Sequence, residues 1–316
     1  MLRLLAGALA LATALGSTAL GNAVLAGTAL AQPITAPDLT PVWTLTTGFA
    51  SPESAFYDAA SNAVFVSSIN GQILEKDGNG YISRLSPDGK VVAEKWATGV
   101  YAPKGLRSAR GVLYAADIDT VVGFDIKSGK EVSRTKIDGA VFLNDLATAP
   151  EGTIYVSDST ALKIFEVRNG TASVFVEGGD QVEQPNGLLV DGGRLILGSV
   201  GPAPVPGAPR GGGAGRGSVA GHLFAFDRKT KQRTLLTAEP VGGIDGIELD
   251  GRGGLIVTDV IGRRLLHVNK AGTVTVLAAF PAGGADFGYI AARKLAVVPF
   301  LASNSVAAYD LTNLVR

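Results

Sequence analysis

LNDLATAPEGTIYVSD, residues 143–158, opens on a polar residue among small and apolar ones and closes on a β-rich run. The same sentence recurs along the chain. Its other copies are PESAF…VFVSS (52–68), PKGL…LYAAD (103–117), PNGL…LILGS (185–199), IDGI…LIVTD (244–259) and ADFG…LAVVP (285–299). A β-rich unit repeated about every 40 residues predicts a propeller with four strands per blade. Six copies predict six blades in an all-β fold.

Each copy supplies its strands in order. The polar opening lies on the innermost strand, and the LYAAD or IYVSD run is the second. The third ends near an acidic residue, as in TVVGFDI (120–126), LKIFEVR (162–168), GHLFAFD (221–227), RLLHVNK (264–270) and SVAAYDL (305–311). The fourth is more polar and outermost, as in VVAEKWAT (91–98), ASVFVEG (172–178) and VTVLAAF (274–280). The sixth copy runs out before its fourth strand, while VWTLTTG (42–48) precedes the first copy without a partner. Pairing that N-terminal strand into the last blade closes the ring and removes an open edge. The rival arrangement is an open array of sheets.

Strand direction alternates within a blade. The polar openings, the closing residues Asp117, Asp158, Ser199 and Asp259, and the second-to-third connections therefore share one face. Two connections are long: 69–80, and the Pro- and Gly-rich 201–221 with Arg210 and Arg216. A long loop at a channel mouth is either a lid or a surface excursion. Asp77-Gly78-Asn79-Gly80 lacks the ligand spacing of a calcium loop and reads as a hairpin turn.

Residues 1–31 stand apart from the repeat. A basic start at Met1-Leu2-Arg3, a charge-free Leu/Ala-rich stretch and Ala29-Leu30-Ala31 have the three parts of a secretory signal. The apolar stretch is long enough for an uncleaved anchor. Its Gly, Ser, Thr and Asn favour cleavage after Ala31, giving a linker over 32–41, a propeller over 42–316 and a periplasmic or secreted protein. With no cysteine, the chain excludes disulfides, thiolate metal sites and a catalytic Cys. Lys plus Arg equals Asp plus Glu at 28 each, which leaves no broad basic face for nucleic acid or anionic lipid. A soluble monomer acting on a small molecule is expected, with no membrane contact after cleavage.

Candidate chemistry lies in the six openings: Glu53, Lys104, Asn144, Asn186, Asp245 and Asp286. One per blade, they can converge at one end of an axial channel. Converging carboxylate and amide oxygens suit a hard divalent cation, calcium first, with magnesium or zinc as alternatives. With two His in the chain and no Cys, a His-built zinc cage is disfavoured. The plainer reading has these residues capping backbone groups and binding water, and Asn-Gly and Asp-Gly are ordinary turn dipeptides. Lys104 is the odd member: it can pair with Glu53 in the cation's place, or hold an anionic group of a substrate. His222 and His267 fall on third strands, away from the channel. No Ser/His/Asp set, nucleophile elbow or phosphate loop is present.

Glu in the first blade, Asn-Asp in the third, Pro-Asn-Gly in the fourth and Asp-Gly in the fifth resemble the gluconolactonase / senescence marker protein / luciferin-regenerating-enzyme family. The resemblance covers 42–316 and implies a six-bladed propeller with one divalent cation in its channel, in a family that includes lactone hydrolases. By this likeness Glu53, Asn186 and Asp245 match the metal ligands, Asn144 lies beside metal and substrate, and Asp245 also matches the general base. Two positions depart from the pattern. Phe142 stands where the family often has Arg, which removes a sugar-binding group, and Lys104 adds a cation. GLIVTDVIGRRLLHVN (254–269) resembles the NHL-type repeats of binding propellers. The expectation is an exported, metal-dependent lactone or ester hydrolase, and its rival is a non-catalytic binding propeller.

Overall fold

The computed structural model describes residues 39–203 and 220–315. The expected signal segment, most of the linker, and the part of the long connection that carries Arg210 and Arg216 lie outside the described residues.

Six four-stranded antiparallel sheets form the ring. Their innermost strands are Pro52–Asp58, Pro103–Ala109, Leu143–Thr148, Pro185–Asp191, Ile244–Leu249 and Gly288–Ile290. Their second strands are Ala63–Ser68, Val112–Asp117, Ile154–Asp158, Arg194–Ser199, Leu255–Asp259 and Leu295–Phe300. The period read from the sequence is therefore one blade. The expected closure is present too: Trp43–Leu45 pairs antiparallel with Ser305–Asp310, with Trp43 opposite Ala308. Leu39, assigned from sequence to the linker, packs against the apolar cluster of this last blade.

The core is divided into wedges between neighbouring blades. Phe65 and Ile82 of the first blade meet Leu106, Leu113 and Phe124 of the second. Tyr155, Ile164 and Phe175 of the third meet Leu195, Phe224 and Phe226 of the fourth. Alternation along each strand sends side chains to both faces of its sheet, so each sheet shares a core with both neighbours. Trp96 completes one wedge, its ring 4.7 Å from that of Phe65.

Five innermost strands carry a β-bulge at the same place. The register slips between Pro52 and Ala55, Pro103 and Leu106, Leu143 and Leu146, Pro185 and Leu188, and Ile244 and Ile247. The polar opening of each copy lies inside its bulge. A bulge leaves backbone N–H groups off the ladder. The repeat answers this with a hydroxyl on the second strand. Ser67 Oγ accepts from Ser54 N at 2.9 Å, Ser157 Oγ from Asp145 N at 3.0 Å, and Thr258 Oγ from Gly246 N at 2.8 Å. Two of these hydroxyls also donate to the next blade, Ser157 to the Asn186 carbonyl at 2.7 Å and Thr258 to the Ala285 carbonyl at 2.9 Å. This is the physical content of the repeated VSS, VSD and VTD endings.

The closing acids do structural work on the same face. Asp117 accepts from Ala102 N at 2.8 Å, Asp158 from Val141 N at 2.6 Å, and Asp259 from Gly243 N at 2.9 Å. Each fastens the chain arriving from the preceding blade. Asp77 accepts from Asn79 N at 3.2 Å, closing the local turn expected there.

The closing strand rests on one tight contact. Gly89 has φ +76°, and a Cβ there would lie 2.5 Å from Trp43 Cδ2. Gly89→Val should therefore destabilise the ring by about 2 kcal/mol or more, from backbone strain and overpacking together. An unchanged urea midpoint would show that the Trp43 strand carries little of the closure.

Candidate functional site

Five of the six polar openings lie in the bulges, and the sixth, Asp286, forms a bridge with Ser54 of the first blade. Glu53, Lys104, Asn144, Asn186, Asp245 and Asp286 are all buried, and Lys104 is only 1% exposed. The ionisable members around Glu53 lie close enough to affect its charge. Burial above all, then the negative charges of Asp245 and Asp286, push the Glu53 carboxyl well above the ordinary glutamate range; Lys104 opposes them. Burial also pushes the Lys104 ammonium down to about 8, against the pull of Glu53, Asp117 and Asp158.

Three glycines let the strands come this close. A Cβ at Gly187 would lie 2.2 Å from the Asp245 carbonyl, and one at Gly246 would lie 2.8 Å from Phe287 N. One at Gly105 would lie 2.3 Å from Asp145 Oδ1. Asn-Gly and Asp-Gly at these positions are thus not turn dipeptides. Their glycines are required by the approach of the next blade's backbone.

The ring members differ in what already holds them. Asp286 is fully engaged, accepting from Ser54 Oγ at 2.5 Å and from Arg107 at 3.2 Å. Asp145, next to Asn144, accepts from Leu188 N at 2.6 Å and Leu146 N at 2.7 Å, bridging the third and fourth blades. Asn144 donates to Ser159 Oγ at 3.1 Å. In contrast, Glu53 Oε2 and both polar side-chain atoms of Asn186 are buried with no hydrogen-bond partner among the described residues. Such groups cost about 1–3 kcal/mol each when left unmatched.

Lys104 does not fill this gap. Its Nζ donates to the Ala102 carbonyl at 2.9 Å and lies 4.7 Å from the centre of the Phe142 ring. Among the described residues it forms no ion pair, so pairing with Glu53 in a cation's place is not the arrangement adopted. The oxygen donors of Glu53, Asn186 and Asp245 are of the kind a hard divalent cation takes. No three Asp, Glu, His or Cys side chains form a cage that could hold a metal ion among the described residues.

Arg107 escaped the sequence reading. Buried in the channel, it reaches from the second blade to Asp286 of the sixth, to the Ile247 carbonyl at 3.5 Å and to Glu248 Oε1 at 3.7 Å on the fifth. Its guanidinium also sits 5.6 Å from the centre of the Phe56 ring. Second and fifth blades oppose one another in a six-bladed ring, so this side chain crosses the axis. The one available signal was a second cation three residues after Lys104 on the same strand. Glu248 is pushed up to about 7 by burial, with Arg107 opposing. His222 and His267 pair instead with Glu183 at 2.6 Å and Asp250 at 2.9 Å.

No model of a known protein family matches the chain, and no curated protein matches it in sequence. Solved structures do match in fold. A gluconolactonase of Xanthomonas campestris superposes with TM-score 0.62 at 17% identity, over 84% of this chain and 89% of that one. A chain in the crystal structure of a nidogen/laminin complex superposes with TM-score 0.58 at 18% identity, over 74% and 87% respectively. At these identities the likeness establishes a shared six-bladed β-propeller.

Two outcomes are expected. Arg107→Met leaves Asp286 charged and unpaired in the channel and should cost about 3–5 kcal/mol in urea unfolding, most of it recovered in Arg107→Met/Asp286→Asn. A double variant no more stable than the single one would show that Arg107 acts through packing alone. The second outcome concerns pH. Native carboxyls that keep their protons to higher pH bind more protons than the unfolded chain, so stability falls as pH rises. The window runs from the ordinary glutamate value of 4.5 up to about 7 at Glu248. With a chelator present, the melting temperature should be lower at pH 7 than at pH 5. A rise over that interval would contradict the raised carboxyls.

Proposed function

We propose that this chain hydrolyses lactones or related esters at the channel ring, using one divalent cation held by Glu53, Asn186 and Asp245 with Asn144 beside them. Calcium is the expected cation, with magnesium or zinc as alternatives. The observation that carries the reading is the Glu53 oxygen and Asn186 amide, buried near carboxylates and without a hydrogen-bond partner among the described residues. A cation bound there supplies Lewis acidity at the substrate carbonyl and lowers the pKa of a water.

The chain's own residues supply the rest. Asp245 accepts a proton as the water oxygen bonds to the carbonyl carbon. The carbonyl carbon then loses its bond to the ring oxygen of a lactone or the alkoxy oxygen of an ester, and the departing oxygen takes the proton that Asp245 received from the water. Asn144, braced by Ser159, orients the substrate. Lys104 directs one N–H to Ala102 and has further N–H groups to offer an anionic portion of the substrate. Arg107 crosses the channel beside the ring and keeps Asp286 engaged. Rigid inner strands hold these groups, which favours a fixed geometry over one that forms on binding. From the amino-acid composition of residues 1–31 we further infer that the protein works after export, in the periplasm or outside the cell; a monomer is our separate expectation.

Calcium titration followed by a lactone and ester panel, with and without chelator, tests the reading. One cation per chain and chelator-sensitive turnover are expected. Glu53→Gln should weaken cation binding at least ten-fold, and Asp245→Asn should lower turnover by about 10²–10⁴-fold. A chain that binds no cation and turns over no lactone or ester belongs with the binding propellers, as the likeness to a chain from the nidogen/laminin complex allows.

A further inference from the structure

Asp286 is tied to Glu53 through the backbone. Its N–H donates to the Glu53 carbonyl at 3.1 Å, and its own carbonyl accepts from Ala55 N at 3.0 Å. Its negative charge is among those that raise the Glu53 carboxyl. A free carboxylate in this position would add to the pull on any cation beside Glu53. Both of its oxygens face other groups instead. Oδ2 accepts from Ser54 Oγ at 2.5 Å and from Arg107 Nη1 at 3.2 Å, while Oδ1 accepts from Arg107 Nη2 at 3.5 Å.

The guanidinium is fixed in this pose from several sides. Nη1 also donates to the Leu106 carbonyl at 2.8 Å, and Nη2 to the Ile247 carbonyl at 3.5 Å. Glu248 Oε1 lies 3.7 Å from Nη2. Burial works against the positive charge, but Asp286, Asp145 and Glu248 outweigh it and hold the group more firmly protonated than a free arginine. Being buried, that charge is little screened by salt. The cluster therefore sets five carboxyls, Glu53, Asp145, Asp245, Glu248 and Asp286, against two cations, Lys104 and Arg107. Arg107 faces an acid whose backbone touches that of Glu53, and it grips both oxygens of that acid with a planar fork.

We propose that Arg107 is a positioning residue that sets the strength of cation binding at the ring. By holding both Asp286 oxygens and placing a fixed positive charge at the axis, it keeps binding weaker than the carboxylates alone would give. This rests on the cation site of the reading above and adds what regulates it. An arginine that served only to hold the fold would act the other way, because its loss would loosen the ring and weaken binding.

Calorimetric titration with calcium alone, on the purified full chain stripped of metal by chelator, tests this. Arg107→Met should bind calcium about ten-fold or more tightly than the unaltered chain, the scale of removing one unit charge near a divalent ion in a little-screened site. Arg107→Lys keeps the charge and should stay within about three-fold of the unaltered chain. Asp286→Asn leaves the guanidinium uncompensated and should bind about ten-fold or more weakly. Arg107→Met/Asp286→Asn removes a pair of no net charge and should return to within about three-fold of the unaltered chain. Equal or weaker binding by Arg107→Met overturns the proposal. So does a double variant as weak as Asp286→Asn, which would make Asp286 a cation ligand in its own right. Should Arg107→Met fail to fold, the last two variants decide. Either overturning result leaves the hydrolase reading standing, whereas an unaltered chain that binds no calcium removes the cation site and this proposal together.

Discussion

Six innermost strands must meet around one axis without filling it, and everything at the site follows from how their backbones are kept close. The bulges in five of them bring polar side chains to the axis at the cost of ladder hydrogen bonds. Ser67, Ser157 and Thr258 repair that loss, at about 1 kcal/mol for each hydrogen bond made and more for each N–H that would otherwise stay bare. The glycines at 105, 187 and 246 then admit the neighbouring backbone. Geometry and chemistry are therefore specified by the same few residues, and a change to one is felt by both.

Charge is the second constraint, and it is only partly met by the protein. Glu53, Asp145, Asp286 and Glu248 are all held above their ordinary range, in each case chiefly by burial. Arg107 balances the part of this cluster that includes Asp286 and Glu248. Lys104 is turned toward Ala102 and Phe142. At Glu53, burial and the neighbouring carboxylates Asp245 and Asp286 act together, and Lys104 opposes them.

The fold was legible because its signal is repeated. Six copies of one strand pattern survive the variation of any single copy, and the unpartnered VWTLTTG could go to only one open edge. The ring was legible for the same reason: one position per copy varied in chemistry while its surroundings stayed constant. Arg107 was not legible, because it occurs once, and only the bulges and the curvature of the ring bring it opposite Glu248 and Asp286. The bulges themselves leave no distinct mark beyond the serines and threonine that answer them, which alone read as ordinary strand residues. The orientation of Lys104 depended on Phe142, a contact between two blades that spacing along the chain does not express.

The strand Trp43–Leu45 has a consequence for how the molecule is made. Its partner, Ser305–Asp310, lies at the other end of the described chain, so the pair is among the most non-local contacts a chain of this length can form. Contacts of that kind are slow to form, since the entropy of the whole intervening chain is lost before they give anything back. The strand at 43–45 must wait for the one at 305–310. Until then the sixth blade has an open edge, and the growing chain is at its most prone to pair with a neighbour. Closure is thus a check on synthesis: a chain that stops short of Ser305 has nothing for Trp43–Leu45 to join.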